Sequence, residues 1–177
     1  MLQASEAKRP VVLGKTFGVV NAPVKIEEFT DFQCPACAAA SMVLHEEIKK
    51  ESSKIFLELK YFPLAMHAHA RRAAVAAQCA LAQNKFWPMQ DMLFRTQKVW
   101  SLAKDPTDYF LSLARGVGLD DKKMMRCMSD QATELKIEED VKEGNSRGVN
   151  ATPTFFVNGK MVVGAPNFQA ALKDALK

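Results

Sequence analysis

From Val24 to Phe29 apolar and polar residues alternate, with Val24, Ile26 and Glu28 on one side, and the run leads directly into Cys34-Pro35-Ala36-Cys37. Period two predicts a strand with one buried face. Pro35 suits the first position of a helix, where its missing N–H would have no partner, and Ala36 to Ser41 propagate well. A helix is therefore predicted from Cys34 to about Glu51. Ile55, Leu57 and Leu59 then alternate with Phe56, Glu58 and Lys60, which predicts a strand over Ile55–Tyr61. Strand, helix, strand at this spacing implies a right-handed parallel crossover.

Upstream, Met1 to Pro10 is polar and irregular and predicts a loose arm. Val11 to Leu13 predicts a short edge strand, ended by Gly14 and followed by the turn residues Asn21-Ala22-Pro23. Beyond Pro63 the pattern is helical, over 67 to 83, 86 to 99, 106 to 115, 120 to 128 and 131 to 144. Asp105 and Asp120 are placed as N-cap residues, Gly116 and Gly118 as a stop. Strand patterning returns at Thr154 to Val157 and Lys160 to Val163, around the hairpin dipeptide Asn158-Gly159. Gly164 to Pro166 break the strand, and Asn167 is expected to cap a last helix whose buried stripe is Phe168, Ala171, Leu172 and Ala175. The fold class expected is α/β, βαβ…ββα, with a helical insertion. Residues 1–64 and 147–177 form its two halves and 65–146 a helical cap, whose core takes Trp87 and Trp100.

A chain of 177 residues is long enough for one buried core, and its 48% hydrophobic and 25% charged content is that of a globular protein. The net charge of +4 is scattered among acids, so no nucleic-acid partner is expected. No stretch approaches the roughly 20 apolar residues of a membrane span. Met1 to Pro10 lacks the apolar segment of a signal peptide, and an export signal is expected to have been removed. Four cysteines are consistent with two pairs in an oxidising compartment.

At the start of a helix, free backbone N–H groups and the helix dipole favour a thiolate, which marks Cys34 as a nucleophile. Cys37, one turn along the same face, is placed to resolve a mixed disulfide on Cys34. The same spacing is half of a zinc site, but neither a second Cys-X-X-Cys nor a paired histidine motif follows, and no metal is expected. His67 and His69 read either as half a copper or zinc site or as ordinary core or surface histidines. Spacing two does not put them on one helix face. Glu28, six residues before Cys34, is either a solvated strand-end charge like Glu27 or a buried acid able to take the proton of Cys37. Cys79 (with Val75, Ala82 and Phe86) and Cys127 (with Met124 and Met128) lie on apolar faces, where buried free thiols are common. Residues alone give no reason for a cis bond at Thr152-Pro153, since only about 5–6% of such bonds are cis.

The segments Glu-Phe-Thr-Asp-Phe-Gln-Cys-Pro-Ala-Cys (28 to 37) and Ala-Thr-Pro-Thr-Phe-Phe-Val-Asn-Gly (151 to 159), with the long insert between them, resemble the DsbA-like branch of the thioredoxin superfamily. The resemblance implies a thioredoxin fold with a helical domain inserted between its halves, and thiol:disulfide exchange at Cys34 and Cys37 without a cofactor. It further implies a buried acid at Glu28 and a cis-proline loop at Thr152-Pro153 that lends its backbone to an extended substrate. The Thr152 hydroxyl is expected to touch the Cys34 sulfur, and Pro35 and Ala36 to tune the pair and meet the substrate. Similar chains carry cysteines in places matching Cys79 and Cys127, which implies a structural disulfide closing about 49 residues, worth roughly 4 kcal/mol. DsbA-type oxidants often have histidine where Ala36 stands, so a less oxidising protein is expected. The function implied is DsbA-like disulfide formation in unfolded or reduced exported proteins. The alternatives are an isomerase or reductase of the DsbG or suppressor-of-copper-sensitivity type, or a metal-binding chaperone using Cys34 and Cys37. A monomer in the periplasm or another extracytoplasmic space is implied, re-oxidised by a DsbB-like or vitamin K epoxide reductase-like membrane partner.

Overall fold

The computed structural model describes residues 11–177; the arm expected at Met1 to Pro10 lies outside them. The chain runs β1 (Val11–Leu13), β2 (Thr16–Gly18), β3 (Val24–Thr30), α1 (Pro35–Lys50) and β4 (Ile55–Tyr61). Six helices follow: α2 (Ala70–Leu81), α3 (Phe86–Arg95), α4 (Gln97–Trp100), α5 (Thr107–Gly116), α6 (Asp121–Met128) and α7 (Gln131–Ser146). It ends with β5 (Thr154–Val157), β6 (Lys160–Val163) and α8 (Ala165–Ala175). The strands form one sheet in the order β1-β2-β4-β3-β5-β6. Among the described strands only β3 and β4 pair in parallel, with Ile26 opposite Leu57, as the α1 crossover requires.

The alternation in β3 and β4 is the alternation of the two sheet faces. Val24, Ile26, Leu57 and Phe155 pack with Leu44 and Ile48 of α1 and with Phe168 and Leu172 of α8. Phe155 stacks on Phe168 with ring centroids 3.9 Å apart. On the opposite face Phe29, Phe62, Val149 and Phe156 cluster with Val141 of α7. The sheet is thereby covered on both sides, and Glu28, in phase with Ile26, is turned towards α1.

Several boundaries differ from the sequence expectation for identifiable reasons. Strand β2 is too short to show a period and forms by pairing with β1 and with Thr16 opposite Glu58 of β4. Its Gly18 has φ of 106°, and a Cβ there would lie 2.1 Å from the carbonyl oxygen of Ile55, so only glycine fits. The helix expected from 67 starts at Ala70, because the main chain of His69 donates to the Gln33 side chain at 2.7 Å. The helix expected over 86 to 99 is two: Thr96 leaves helical geometry, with its hydroxyl donating to the Met92 carbonyl at 2.7 Å.

Helix α7 continues through Gly144, which is no terminator. It is where the helix crosses Phe62 so closely that a Cβ would fall 2.7 Å from the ring. Asp120 caps α6 by accepting from Lys123 N at 2.8 Å. Asp105 is not the N-cap of α5: Pro106 holds that position, and the Asp105 carboxylate, one residue ahead of it, accepts from Thr107 N at 2.9 Å. Asn167 does not cap α8. Gly164, at φ of 82°, is the N-cap, and Asn167 lies within the first turn with its amide donating to the Val163 carbonyl. Trp100 is fully buried among the inserted helices. Trp87 is not; it lies partly buried between them and the sheet domain, edge-on to Phe17 of β2 and to Phe86.

Candidate active site

The chain leaves β3 at Thr30 and turns through Asp31 to Gln33, with Cys34 N donating to the Asp31 carbonyl at 3.1 Å. Cys34 is the N-cap of α1 and Pro35 opens the helix. The Cys34 carbonyl accepts from Cys37 N and Ala38 N at 3.1 and 3.2 Å, so the first turn closes around the pair. Both cysteines are free thiols. Cys34 retains 7% exposure and Cys37 none, while Pro35 and Ala36 beside them are exposed.

This geometry drives the two thiols apart in acidity. The Cys34 thiol falls from the ordinary 9.0 to about 5, chiefly because the Cys37 side chain donates to it. Partial burial opposes the fall, and the N–H groups of Cys37 and Ala36 and the Thr152 hydroxyl add to it. Cys37 is pushed well above the ordinary value by burial first, then by the Cys34 sulfur and the Glu28 charge. Asp31 N–H, 3.5 Å from Cys37 Sγ, is the group that favours its thiolate. One sulfur is thus an anion at neutral pH and its neighbour a protonated donor to it.

Strand β5 pairs antiparallel with β3, setting Thr154 opposite Phe29, and this register brings the loop before β5 against the active-site turn. The Thr152-Pro153 bond in that loop is cis. Cys34 Sγ donates to the Thr152 main-chain carbonyl at 3.4 Å; the hydroxyl expected to touch this sulfur is buried nearby with no hydrogen-bond partner. Glu28 is 2% exposed, and Oε1 has no hydrogen-bond partner. Burial raises its carboxyl from 4.5 to about 7, with the nearby Thr30 countering only in part.

Sequence reasoning missed the polar residues that brace the turn. The carboxylate of Asp31 is fully buried and accepts from Gln33 N at 2.7 Å, Leu64 N at 2.9 Å and His67 Nδ1 at 2.7 Å. Gln97, at the break between α3 and α4, donates its amide to the carbonyls of Phe32 and Cys34 at 2.7 and 3.0 Å. His69 Nε2 is 2.8 Å from the Ala103 carbonyl. Both histidines are thus engaged with protein groups. Among the described residues no cluster of three or more histidine, cysteine or acidic side chains is placed to hold a metal. The signal for Asp31 was present in Phe29-Thr30-Asp31-Phe32, an acid between large apolar residues. Nothing local pointed to Gln97.

Away from this site Cys79 of α2 and Cys127 of α6 are joined by a disulfide, S–S 2.02 Å, Cα–Cα 5.7 Å. It lies within the core cluster shared by the inserted helices, with Cys79 fully buried.

A Cys-X-X-Cys at a helix start beside a cis-proline loop, on a βαβ…ββα sheet interrupted by helices, defines a class. The family model described as thioredoxin matches residues 10–177, and the chain belongs to that family. Its fold is that of the DsbA-like members. Over 94% of this chain and 90% of the other, it superposes on Wolbachia pipientis alpha-DsbA1 with a TM-score of 0.79 at 20% identity. A thioredoxin-like oxidoreductase from Silicibacter pomeroyi gives 0.74 at 26% identity, with the same coverage of the two chains. Among curated proteins, a Na(+)/H(+) antiporter NhaA 1 of Salinispora arenicola is 34% identical over 154 residues, 86% of this chain and 23% of that protein. The chain therefore spans about a quarter of the length of such relatives. No helix among the described residues is long and apolar enough to cross a membrane.

Proposed function

We propose that the chain is a thiol:disulfide oxidoreductase that forms disulfides in unfolded or reduced exported proteins through Cys34 and Cys37. The observation that carries this reading is the split between a Cys34 thiol at about 5 and a buried Cys37 whose thiol is held protonated. Such a pair makes Cys34 a good leaving group as well as a nucleophile. A substrate thiolate attacks Cys34 Sγ of the Cys34–Cys37 disulfide; that S–S bond breaks and Cys37 leaves as a thiolate, taking up a proton for which Glu28, at about 7, is a donor. A second substrate thiolate then attacks the substrate sulfur of the mixed disulfide. Cys34 leaves as a thiolate, the substrate has lost two electrons, and the protein is the reduced dithiol.

Thr152 and Pro153 would hold the substrate segment in extended form, main chain to main chain, beside the exposed Pro35 and Ala36. The helices of 65–146 form a cap over the site, and the Cys79–Cys127 bridge ties that cap together. Turnover needs an external oxidant, which we assign to a DsbB-like or vitamin K epoxide reductase-like membrane partner in an extracytoplasmic compartment. The likeness to oxidoreductases of this fold supports the activity. A second reading, isomerase or reductase, is favoured by one observation, the alanine at position 36, which supplies Cys34 with a backbone N–H and no side-chain charge. The test is Cys37→Ala exposed to reduced, unfolded protein in an oxidising buffer. Mixed disulfides through Cys34 should accumulate, and their absence would defeat the proposal. Equilibration of the wild-type pair with glutathione, alongside oxidative-folding and scrambled-disulfide assays, decides between the two directions.

A further inference from the structure

Asp31 is a buried carboxylate that the exchange chemistry above does not use. Its two oxygens face only donors: Gln33 N on Oδ1, Leu64 N and His67 Nδ1 on Oδ2. These donors come from the turn ahead of Cys34 and from the segment between β4 and α2, so the carboxylate pins the turn to its neighbour from both sides. The same residue's backbone reaches both cysteines. Its carbonyl accepts from Cys34 N at 3.1 Å, and its N–H points at Cys37 Sγ at 3.5 Å. Fixing the Asp31 side chain fixes the direction of that N–H. An N–H held in place costs nothing to reorient when charge appears on the sulfur.

We infer that Asp31, braced by His67, is a positioning residue for Cys37: it aims the Asp31 N–H at the resolving sulfur and so sets the rate at which Cys37 forms or breaks its S–S bond. The inference rests on the exchange reading given above. In the resolving step Cys37 gives up its proton, for which the Glu28 carboxylate is the acceptor, and the thiolate so formed attacks Cys34 Sγ of a mixed disulfide. The Cys34–Cys37 bond forms, the bond from Cys34 to the other sulfur breaks, and that sulfur leaves with the electron pair. The charge on Cys37 exists just before this step, and in the reverse direction just after it, so one donor serves both. The Cys34 thiolate is stabilised by Cys37, the Ala36 N–H and Thr152, and Asp31 meets Cys34 through its main-chain carbonyl, which asparagine keeps, so attack by Cys34 should change far less than resolution by Cys37.

Asparagine is the discriminating replacement because it keeps the shape of aspartate and replaces one acceptor oxygen by an NH2 group. Whichever way that amide turns, it presents hydrogens to Gln33 N–H, or to Leu64 N–H and His67. The test is a rapid-mixing reaction of the reduced protein with 5,5′-dithiobis(2-nitrobenzoate). Attack by Cys34 releases one thionitrobenzoate anion, and attack by Cys37 on the resulting mixed disulfide releases a second. In Asp31→Asn the second release should slow about tenfold and the first by less than about twofold, the size of one lost hydrogen bond to a charged group. His67→Ala, which leaves the two backbone donors in place, should slow the second release by about threefold, and His67→Asn, which restores a side-chain N–H, should recover part of that loss. Unchanged second phases in both Asp31→Asn and His67→Ala overturn the inference, as do first and second phases slowed alike. Wild-type protein that releases only one equivalent would overturn the exchange reading itself and this inference with it.

Discussion

Cys34 Sγ lies 3.4 Å from the carbonyl oxygen of Thr152, 118 residues away in sequence, because β5 pairs with β3 and sets its preceding loop beside the start of α1. A thiolate at this point is favoured by the Cys37 side chain first, and by the Thr152 hydroxyl among the smaller contributions. Thiolate absorbance of the reduced protein should therefore titrate with a midpoint near 5, and the rate of Cys34 alkylation should rise through that pH and level off by neutrality. Thr152→Val removes the hydroxyl and keeps the shape, and should move the midpoint up by about one unit. A midpoint near that of free cysteine would remove the basis for the proposed chemistry. The folded value lies below the unfolded 9.0, so this ionisation stabilises the reduced protein fully above 9.0 and ceases to do so as pH falls through about 5.

Ala36 is exposed beside the pair and offers Cys34 only its backbone N–H. Ala36→His adds a cation beside the thiolate and stabilises the reduced form, so the equilibrium with glutathione should shift towards the dithiol. Each factor of ten in that equilibrium raises the potential by about 30 mV. An unchanged equilibrium constant would show that the helix start and Cys37 already saturate the stabilisation available to Cys34.

The frame of this protein was legible because its strands have two unlike faces. Val24, Ile26 and Glu28 share one buried face and alternate with Lys25, Glu27 and Phe29 on the other, as Ile55, Leu57 and Leu59 alternate with the less buried Phe56, Glu58 and Lys60, and the sheet honours both runs. Cys34 and Cys37 were legible because Pro35 marks a helix start. What the sequence hid depends on contacts between distant segments. Strand β2 has three residues and exists through its pairing with β4, and the break at Thr96 exists alongside a Gln97 that reaches the Cys34 carbonyl. Asp31 and His67 are 36 residues apart and meet only once β4 has returned beside β3. The cis bond at Thr152-Pro153 and the Cys79–Cys127 pairing carry no local pattern, and only the family resemblance led to them.

The Cys79–Cys127 bridge joins α2 to α6 across a sequence separation of 48 residues. Its loss frees that loop in the unfolded chain, and Cys79→Ala/Cys127→Ala should lose roughly 4 kcal/mol by the chain-entropy relation. Denaturant unfolding of the double variant, compared with wild type in the absence of reductant, measures it. Cys34 alkylation should be unchanged, since the groups that act on its thiol are Cys37, Ala36 and Thr152 and not the bridge. A double variant of wild-type stability would mean that the unfolded chain is already constrained around these helices.

Glu28 offers a test in which the sign is fixed by burial. Its carboxyl is held at about 7 against 4.5 when unfolded, so the folded protein favours the neutral acid. The stability this group allows is fully present below 4.5 and is lost as pH rises through about 7. Glu28→Gln is neutral at every pH and should match wild type in acid, then exceed it above neutrality by roughly 3 kcal/mol. Unfolding of both reduced proteins across that range reads the difference directly. The same variant should resolve mixed disulfides more slowly, because Cys37, itself raised by burial and by the Glu28 charge, loses the carboxylate that takes its proton. Equal pH profiles for the two proteins would place the Glu28 charge in a solvated setting and take away its part in the proton transfer. A gain in alkaline stability with unchanged resolution would keep the buried acid and assign the proton of Cys37 to another acceptor.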